Sequence, residues 1–148
     1  MTIKKQNKDY NCAAFSVHFI LGLYGIDSDP DDLEKIMDTS EEGGTSHEGI
    51  KKGLAHHNLK WVSWYNSHIT TLQEFLPAIV NYQSCVEGEC EGHYSVVLGQ
   101  GHGFLIIYNP ESGEIETIDC DEFEKNWYSE RYGKGWFIQP VKENKNAE

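Results

Sequence analysis

The stretch from Cys12 to Tyr24 constrains this chain most. Ala13, Ala14, Phe15, Val17, Phe19, Ile20, Leu21 and Leu23 put apolar side chains on almost every face, relieved only by Ser16, His18 and Gly22. A helix that is greasy all round has no side to show to water, so it must lie in the core of a folded domain. At thirteen residues it is well short of the ~20 needed to span a bilayer, and Gly25 follows as a helix-ending C′ glycine. Whatever surrounds this helix must cover it on all sides.

The rest of the first half supplies further helices. Ser28-Asp29-Pro30 reads as a cap residue followed by a first-turn proline, with Leu33, Ile36 and Met37 at helical spacing behind it. Glu41-Glu42-Gly43-Gly44 reads as a loop. Thr45 with Glu48 forms a capping-box pattern ahead of Ile50 and Leu54, and the helix ends near Asn58. Thr71 with Glu74 repeats the pattern for a short helix carrying Leu72, Phe75 and Leu76.

The period then changes. Trp61 to Tyr65, Ala78 to Tyr82, His93 to Gly99, Phe104 to Asn109, Glu114 to Ile118 and Gly135 to Val141 are short runs rich in β-branched and aromatic residues. Gly101-His102-Gly103 and Pro110-Glu111-Ser112-Gly113 are turns between successive runs, and Asp121 to Trp127 is one or two further helical turns. Helices first and strands afterwards predict an α+β domain, with N-terminal helices packed on a C-terminal antiparallel sheet. No repeat, linker or composition break divides the chain. A single domain is expected over residues 1–141, with a frayed tail at 142–148, where apolar residues are nearly absent.

Composition narrows the function. The 148 residues are 39% hydrophobic and 12% aromatic, enough to build a core, and carry a net charge of −12. That sign disfavours a phosphate-wrapping nucleic-acid binder and an anionic membrane surface. No apolar h-region follows Met1-Thr2-Ile3-Lys4-Lys5-Gln6, so a secretory signal is not expected and the cytoplasm is the expected compartment. Four cysteines, Cys12, Cys85, Cys90 and Cys120, do not make a disulfide scaffold.

Cys12 is the foremost candidate for chemistry. With Asn11 as N-cap it sits in the first turn of the buried helix, where free N–H groups and the positive end of the macrodipole favour a thiolate. The competing reading is a small buried hydrophobe. A nucleophilic thiol needs a base, an orienter and an oxyanion donor. His93 opens one strand and Asn109 closes the next, so antiparallel pairing through Gly101-His102-Gly103 brings them to one rim of the sheet, provided they face the same way. Gln6, six positions before Cys12, lies near enough to aim its amide at the same spot. Taken singly, each has an ordinary reading: a strand-end histidine, a turn-former before proline, a solvated tail residue.

The order of blocks resembles a known family. Gln6-x-x-x-x-x-Cys12, Tyr24-Gly25, Gly44-Thr45-Ser46, Pro77-Ala78-Ile79, Gly92-His93-Tyr94-Ser95-Val96-Val97 and Asn109-Pro110 together resemble the C39 and C39-like cysteine peptidases. That branch of the papain-like superfamily is best known as the leader-cleaving domain of bacteriocin-exporting ABC transporters. The likeness runs from Gln6 to about Trp127. It implies a papain-like fold, Cys12 as nucleophile, His93 as general base, Asn109 as orienter of the imidazole and Gln6 as side-chain oxyanion donor, with no cofactor. Two departures stand out. The family usually has Asp-Cys-Gly-Pro where this chain has Asn11-Cys12-Ala13-Ala14, and often has Asp at the position of Asn109.

Two other clusters carry chemistry-bearing side chains. Cys85, Cys90 and His93 among Glu87, Glu89 and Glu91 have loose zinc-like spacing without a second ligand pair; a flexible acidic loop, bridged by Cys85–Cys90 if oxidised, fits better, and no metal is expected. His47, His56 and His57 are expected to be exposed. An acidic run from Asp27 to Glu48 reads as a solvated face, and would favour a cationic peptide if it borders the cleft. The expected function is a thiol hydrolase of a peptide or related amide bond, acting on a peptide or protein, with no nucleic acid and no membrane span. A degenerate peptide-binding module and a thiol-dependent deamidase or acyl transferase are the alternatives.

Overall fold

The computed structural model describes residues 3–141. Helices α1 (Cys12–Leu23), α2 (Pro30–Ile36) and α3 (His47–His56) come first. Strand β1 (Lys60–Trp64) and the short α4 (Ile69–Leu72) lead into the main strands β2 (Ala78–Val86), β3 (Glu89–Gln100), β4 (Phe104–Asn109) and β5 (Glu114–Asp119). Helix α5 (Cys120–Asn126), the two-residue strands β6 (Tyr128–Ser129) and β7 (Gly133–Lys134), and β8 (Phe137–Val141) complete the domain. Among the described residues, no helix is long and apolar enough to cross a membrane.

Six strands form one sheet in the order β1-β8-β2-β3-β4-β5, and every pairing in it is antiparallel. Its two faces bury different sets, as strand alternation requires. Ile79, Tyr94, Val96, Tyr108 and Ile138 face α1–α3 and pack with Val17, Ile20, Leu21, Leu33, Ile50 and Leu54. Val80, Tyr82, Val97, Leu105, Ile107 and Phe137 face the other way, against Ile69, Leu72, Phe123 and Trp127 around α4 and α5. The α+β architecture is as read from the sequence, and α4 with α5 adds a cover on the second face. As its composition demands, α1 is sunk in the core: Ala14, Val17, Ile20 and Leu21 are fully buried, and Phe19 stacks on Tyr108 with ring centroids 4.1 Å apart. Gly25 ends it at φ +75°, a conformation that suits glycine.

Several local expectations are corrected. The α3 N-cap is Ser46, whose hydroxyl accepts from the Gly49 N–H at 3.0 Å; Thr45 instead shares a hydrogen bond with Thr39. In the Ser28-Asp29-Pro30 pattern the cap residue is Asp29, which accepts from the Asp31 N–H. Thr71 lies within α4, which starts after His68. The acidic loop is a hairpin: β2 and β3 run on to Val86 and Glu89, with Cys85 opposite Cys90 and the two joined in a disulfide. His47 is 2% exposed, while His56 is exposed and His57 half-buried. The reading of a frayed tail at 142–148 falls outside the described residues.

Candidate active site

Cys12 opens α1 and is buried but for 9% of its surface, which faces a cleft of about 810 Å³. The segment before it is folded back on itself. Asn11 accepts from the Lys8 N–H at 3.2 Å and donates to Asn7 Oδ1 at 2.7 Å. It holds the N-cap position as expected, yet its side chain makes no capping bond to the helix. The first-turn N–H donors are thereby left without a side-chain cap at the thiol, which suits a site where negative charge develops.

Strand β3 meets this helix end. The Tyr94 N–H points at Cys12 Sγ from 3.5 Å, and the Tyr94 hydroxyl donates to the Thr45 carbonyl at 2.9 Å. One residue earlier, His93 Nε2 donates to Asn109 Oδ1 at 2.8 Å. The Asn109 orientation is set by the Glu111 N–H, which donates to the same Oδ1 at 3.0 Å. An oxygen that accepts from both makes Nε2 the protonated nitrogen, so the second nitrogen, Nδ1, is free to take a proton. The same-face condition is met because β3 and β4 pair in regular register, Val96 opposite Tyr108 and Val97 opposite Ile107. The bulge between Val97 and Gly99 lies beyond that pair, toward the turn.

Electrostatics couple the imidazole to the thiol. Burial alone would lower the His93 pKa, but hydrogen bonding to Cys12, the Cys12 charge, Asn109 and Glu111 together raise it above the ordinary histidine value. His93 is thus hydrogen-bonded to Asn109 and electrostatically coupled to Cys12. Gln6 is tied to these residues less directly. Its backbone N–H donates to the Pro110 carbonyl at 2.8 Å, next to Asn109, and its Nε2 donates to the Lys8 carbonyl at 2.7 Å. Its Oε1 is buried without a partner among the described residues, and Nε2 retains a second hydrogen.

The cleft takes its walls from three places: the turn at Asn7–Tyr10, the loop at Glu41–Thr45, and the β6–β7 segment with Ser129, Arg131 and Tyr132; Asn81, Gly92 and Tyr94 also line it. Asp9, Glu41, Glu42 and Glu91 set four carboxylates against Lys8 and Arg131, and Lys8 is already paired with Glu34 at 3.1 Å. Only Glu41 and Glu42 of the long acidic run border this cleft. Two features escaped the sequence reading. Asn81 is a polar residue within an otherwise apolar strand run, which was the available signal. His47 stacks on Tyr132 at 3.9 Å and on Trp136 at 3.7 Å between ring centroids, supporting the β6–β7 wall; its partners lie far away in sequence, and nothing local announces them. Cys85 and Cys90, being disulfide-bonded, offer no thiolates to a metal.

Comparison with known proteins agrees with this architecture. The model of the peptidase C39 family matches residues 1–131. No curated protein sequence matches the chain. Among solved structures, the peptidase domain of Streptococcus ComA, a bifunctional ABC transporter involved in quorum sensing, is similar at 20% identity, covering 95% of this chain and 97% of its own, with a TM-score of 0.78. A double-glycine-motif protease from an AMS/PCAT transporter, solved with its leader peptide, is similar at 17% identity over 93% and 89% of the two chains, with a TM-score of 0.75. A C39-like peptidase from Bacillus anthracis is similar at 16% identity over 98% and 96%, with a TM-score of 0.73. At such identities the structural likeness speaks for the fold, whereas the family model spans most of the sequence. This chain belongs to the peptidase C39 family.

Proposed function

We propose that the protein is a thiol-dependent peptide-bond hydrolase in which Cys12 is the nucleophile, His93 the general base and acid, and Asn109 the group that orients the imidazole. The observation that carries this reading is the 2.8 Å bond from His93 Nε2 to Asn109 Oδ1, which commits Nε2 as a donor and leaves Nδ1 for the thiol proton. Attack by the Cys12 sulfur on the carbonyl carbon forms the C–S bond as the proton passes to Nδ1. The tetrahedral oxyanion is stabilised by the Cys12 backbone N–H and by the second Nε2 hydrogen of Gln6. Collapse breaks the C–N bond, and His93 gives its proton to the leaving amine. Water activated by the same imidazole then cleaves the thioester, restoring the thiol and releasing the acid.

The substrate is a peptide lying in the cleft beside Cys12, and the carboxylates there favour one with positive charge. A double-glycine leader peptide is the first substrate to try, because a structural neighbour is a double-glycine-motif protease. The deciding experiment has two parts. Iodoacetamide should label Cys12 at least tenfold faster than the other free thiol, Cys120; equal rates would end the reading. Product mass after incubation with the peptide then separates hydrolysis, which adds water across the bond, from deamidation, acyl transfer or binding without turnover.

A further inference from the structure

The floor of the Cys12 cleft holds a polar side chain that the fold leaves unused. Asn81, on β2, is 8% exposed and lines the cleft, yet its carboxamide has no hydrogen-bond partner among the described residues. Such an amide can pair only with water or with whatever enters the cleft. The neighbouring amide, Gln83, is satisfied: its Nε2 donates to the Tyr128 carbonyl at 3.2 Å. Gly92 lies between them across the β2–β3 pair, where an added Cβ would stand 3.9 Å from both Asn81 Oδ1 and Gln83 Nε2. Glycine therefore keeps a methyl-sized recess open beside Asn81, next in sequence to His93.

We propose that Asn81 is a substrate-binding residue that pairs with a peptide group of the acyl half of the substrate. This rests on the hydrolase reading above. A carboxamide presents one acceptor and donors in a plane, so Oδ1 takes a substrate N–H while Nδ2 donates to a substrate carbonyl, as neighbouring strands do. The acyl half is the occupant for a geometric reason. The leaving amine must depart toward the proton on His93, whereas the cleft contains Cys12 and Asn81 but is not lined by His93 or Asn109. The portion that stays on the sulfur through the thioester needs that seat.

The test compares two alkylating reagents on the whole chain. An acetylated tetrapeptide vinyl sulfone ending in Gly-Gly requires the seat; iodoacetamide reads thiol reactivity separately. The ratio of their rates at Cys12 should fall at least tenfold in Asn81→Leu, and in Gly92→Ala, whose methyl fills the recess with ordinary contacts. Thermal unfolding separates binding from structure: Asn81→Leu breaks no hydrogen bond among the described residues, so its Tm should stay level. In 15N-labelled Cys12→Ala protein, the Asn81 side-chain NH2 resonances should shift on titration with the same tetrapeptide as its amide. A ratio within twofold of wild type, a lowered Tm without that shift, or NH2 resonances that do not move would each overturn the proposal. If iodoacetamide labels Cys12 no faster than Cys120, the hydrolase reading fails, and the NH2 titration still decides Asn81.

Discussion

His93 and Asn109, sixteen residues apart on adjacent antiparallel strands, are joined by a 2.8 Å hydrogen bond from Nε2 to Oδ1, and the Glu111 N–H fixes the amide that receives it. The tautomer of the imidazole, and so the nitrogen left free to accept a proton, is set by the turn after β4.

That turn predicts the behaviour of two variants at one position. Asn109→Ala leaves the ring without its acceptor, and turnover of a cleaved peptide should drop by about 10²-fold, within the range for losing a positioned acid–base group. Asn109→Asp keeps the acceptor and adds a negative charge, which raises the His93 pKa further. Its Cys12 alkylation and peptide pH profiles should move to higher pH than wild type. A profile unchanged in Asn109→Asp would mean that the carboxyl does not reach the ring.

The imidazole and thiol should report on one another. Burial pulls the His93 pKa down, and Cys12 is the foremost influence holding it up. In Cys12→Ala the His93 ring, followed by NMR, should therefore titrate at lower pH than in wild type. Stability follows the same sign. A folded pKa raised above the unfolded ~6.5 gives a contribution fully present below that value and lost as pH rises through the folded pKa. Urea unfolding should show wild type losing that advantage over Cys12→Ala across this window.

His47 should act in the opposite sense. Burial, with Lys51 and Arg131, lowers its pKa to about 4, and its Nε2 is buried without a partner among the described residues. The unfolded chain binds the proton more readily, so this contribution is complete above ~6.5 and is lost as pH falls toward the folded value. His47→Phe keeps a ring against Tyr132 and Trp136 and cannot titrate. Its urea midpoint should fall less than that of wild type between neutral pH and pH of about 4.

Two glycines of α3 should respond differently to one methyl group. A Cβ at Gly49 would stand 2.4 Å from the Met37 carbonyl oxygen, a backbone atom that cannot swing aside. Gly49→Ala should lower stability by about 1–3 kcal/mol despite the better helix propensity of alanine. At Gly53 the nearest atom is the Met37 Sδ, at 2.9 Å, the flexible end of a side chain. Gly53→Ala should be milder, and denaturant titration of the pair would show the order.

Sequence and structure divide this protein along a physical line. The amino-acid order by itself determined what depends on local pattern: the all-round apolar Cys12–Tyr24 helix, the switch from helical to strand period, the turns at Gly101–Gly103 and Pro110–Gly113, and the α+β layering. It also carried the family likeness and the candidates Cys12, His93, Asn109 and Gln6. Local propensity says which residues form a strand, but not how neighbouring strands slide or which face a given side chain takes. Only the assembled sheet therefore decided that His93 and Asn109 face each other, with the bulge between Val97 and Gly99 safely past them. The α3 cap went to Ser46 rather than Thr45, whose hydroxyl is tied to Thr39 by a tertiary contact that local pattern does not show. His47 is buried because Tyr132 and Trp136, far along the chain, close over it. Asn81 is placed the same way: a polar residue in a strand comes to line the Cys12 cleft only once β3 lays Gly92 alongside it and α1 brings Cys12 to the same opening.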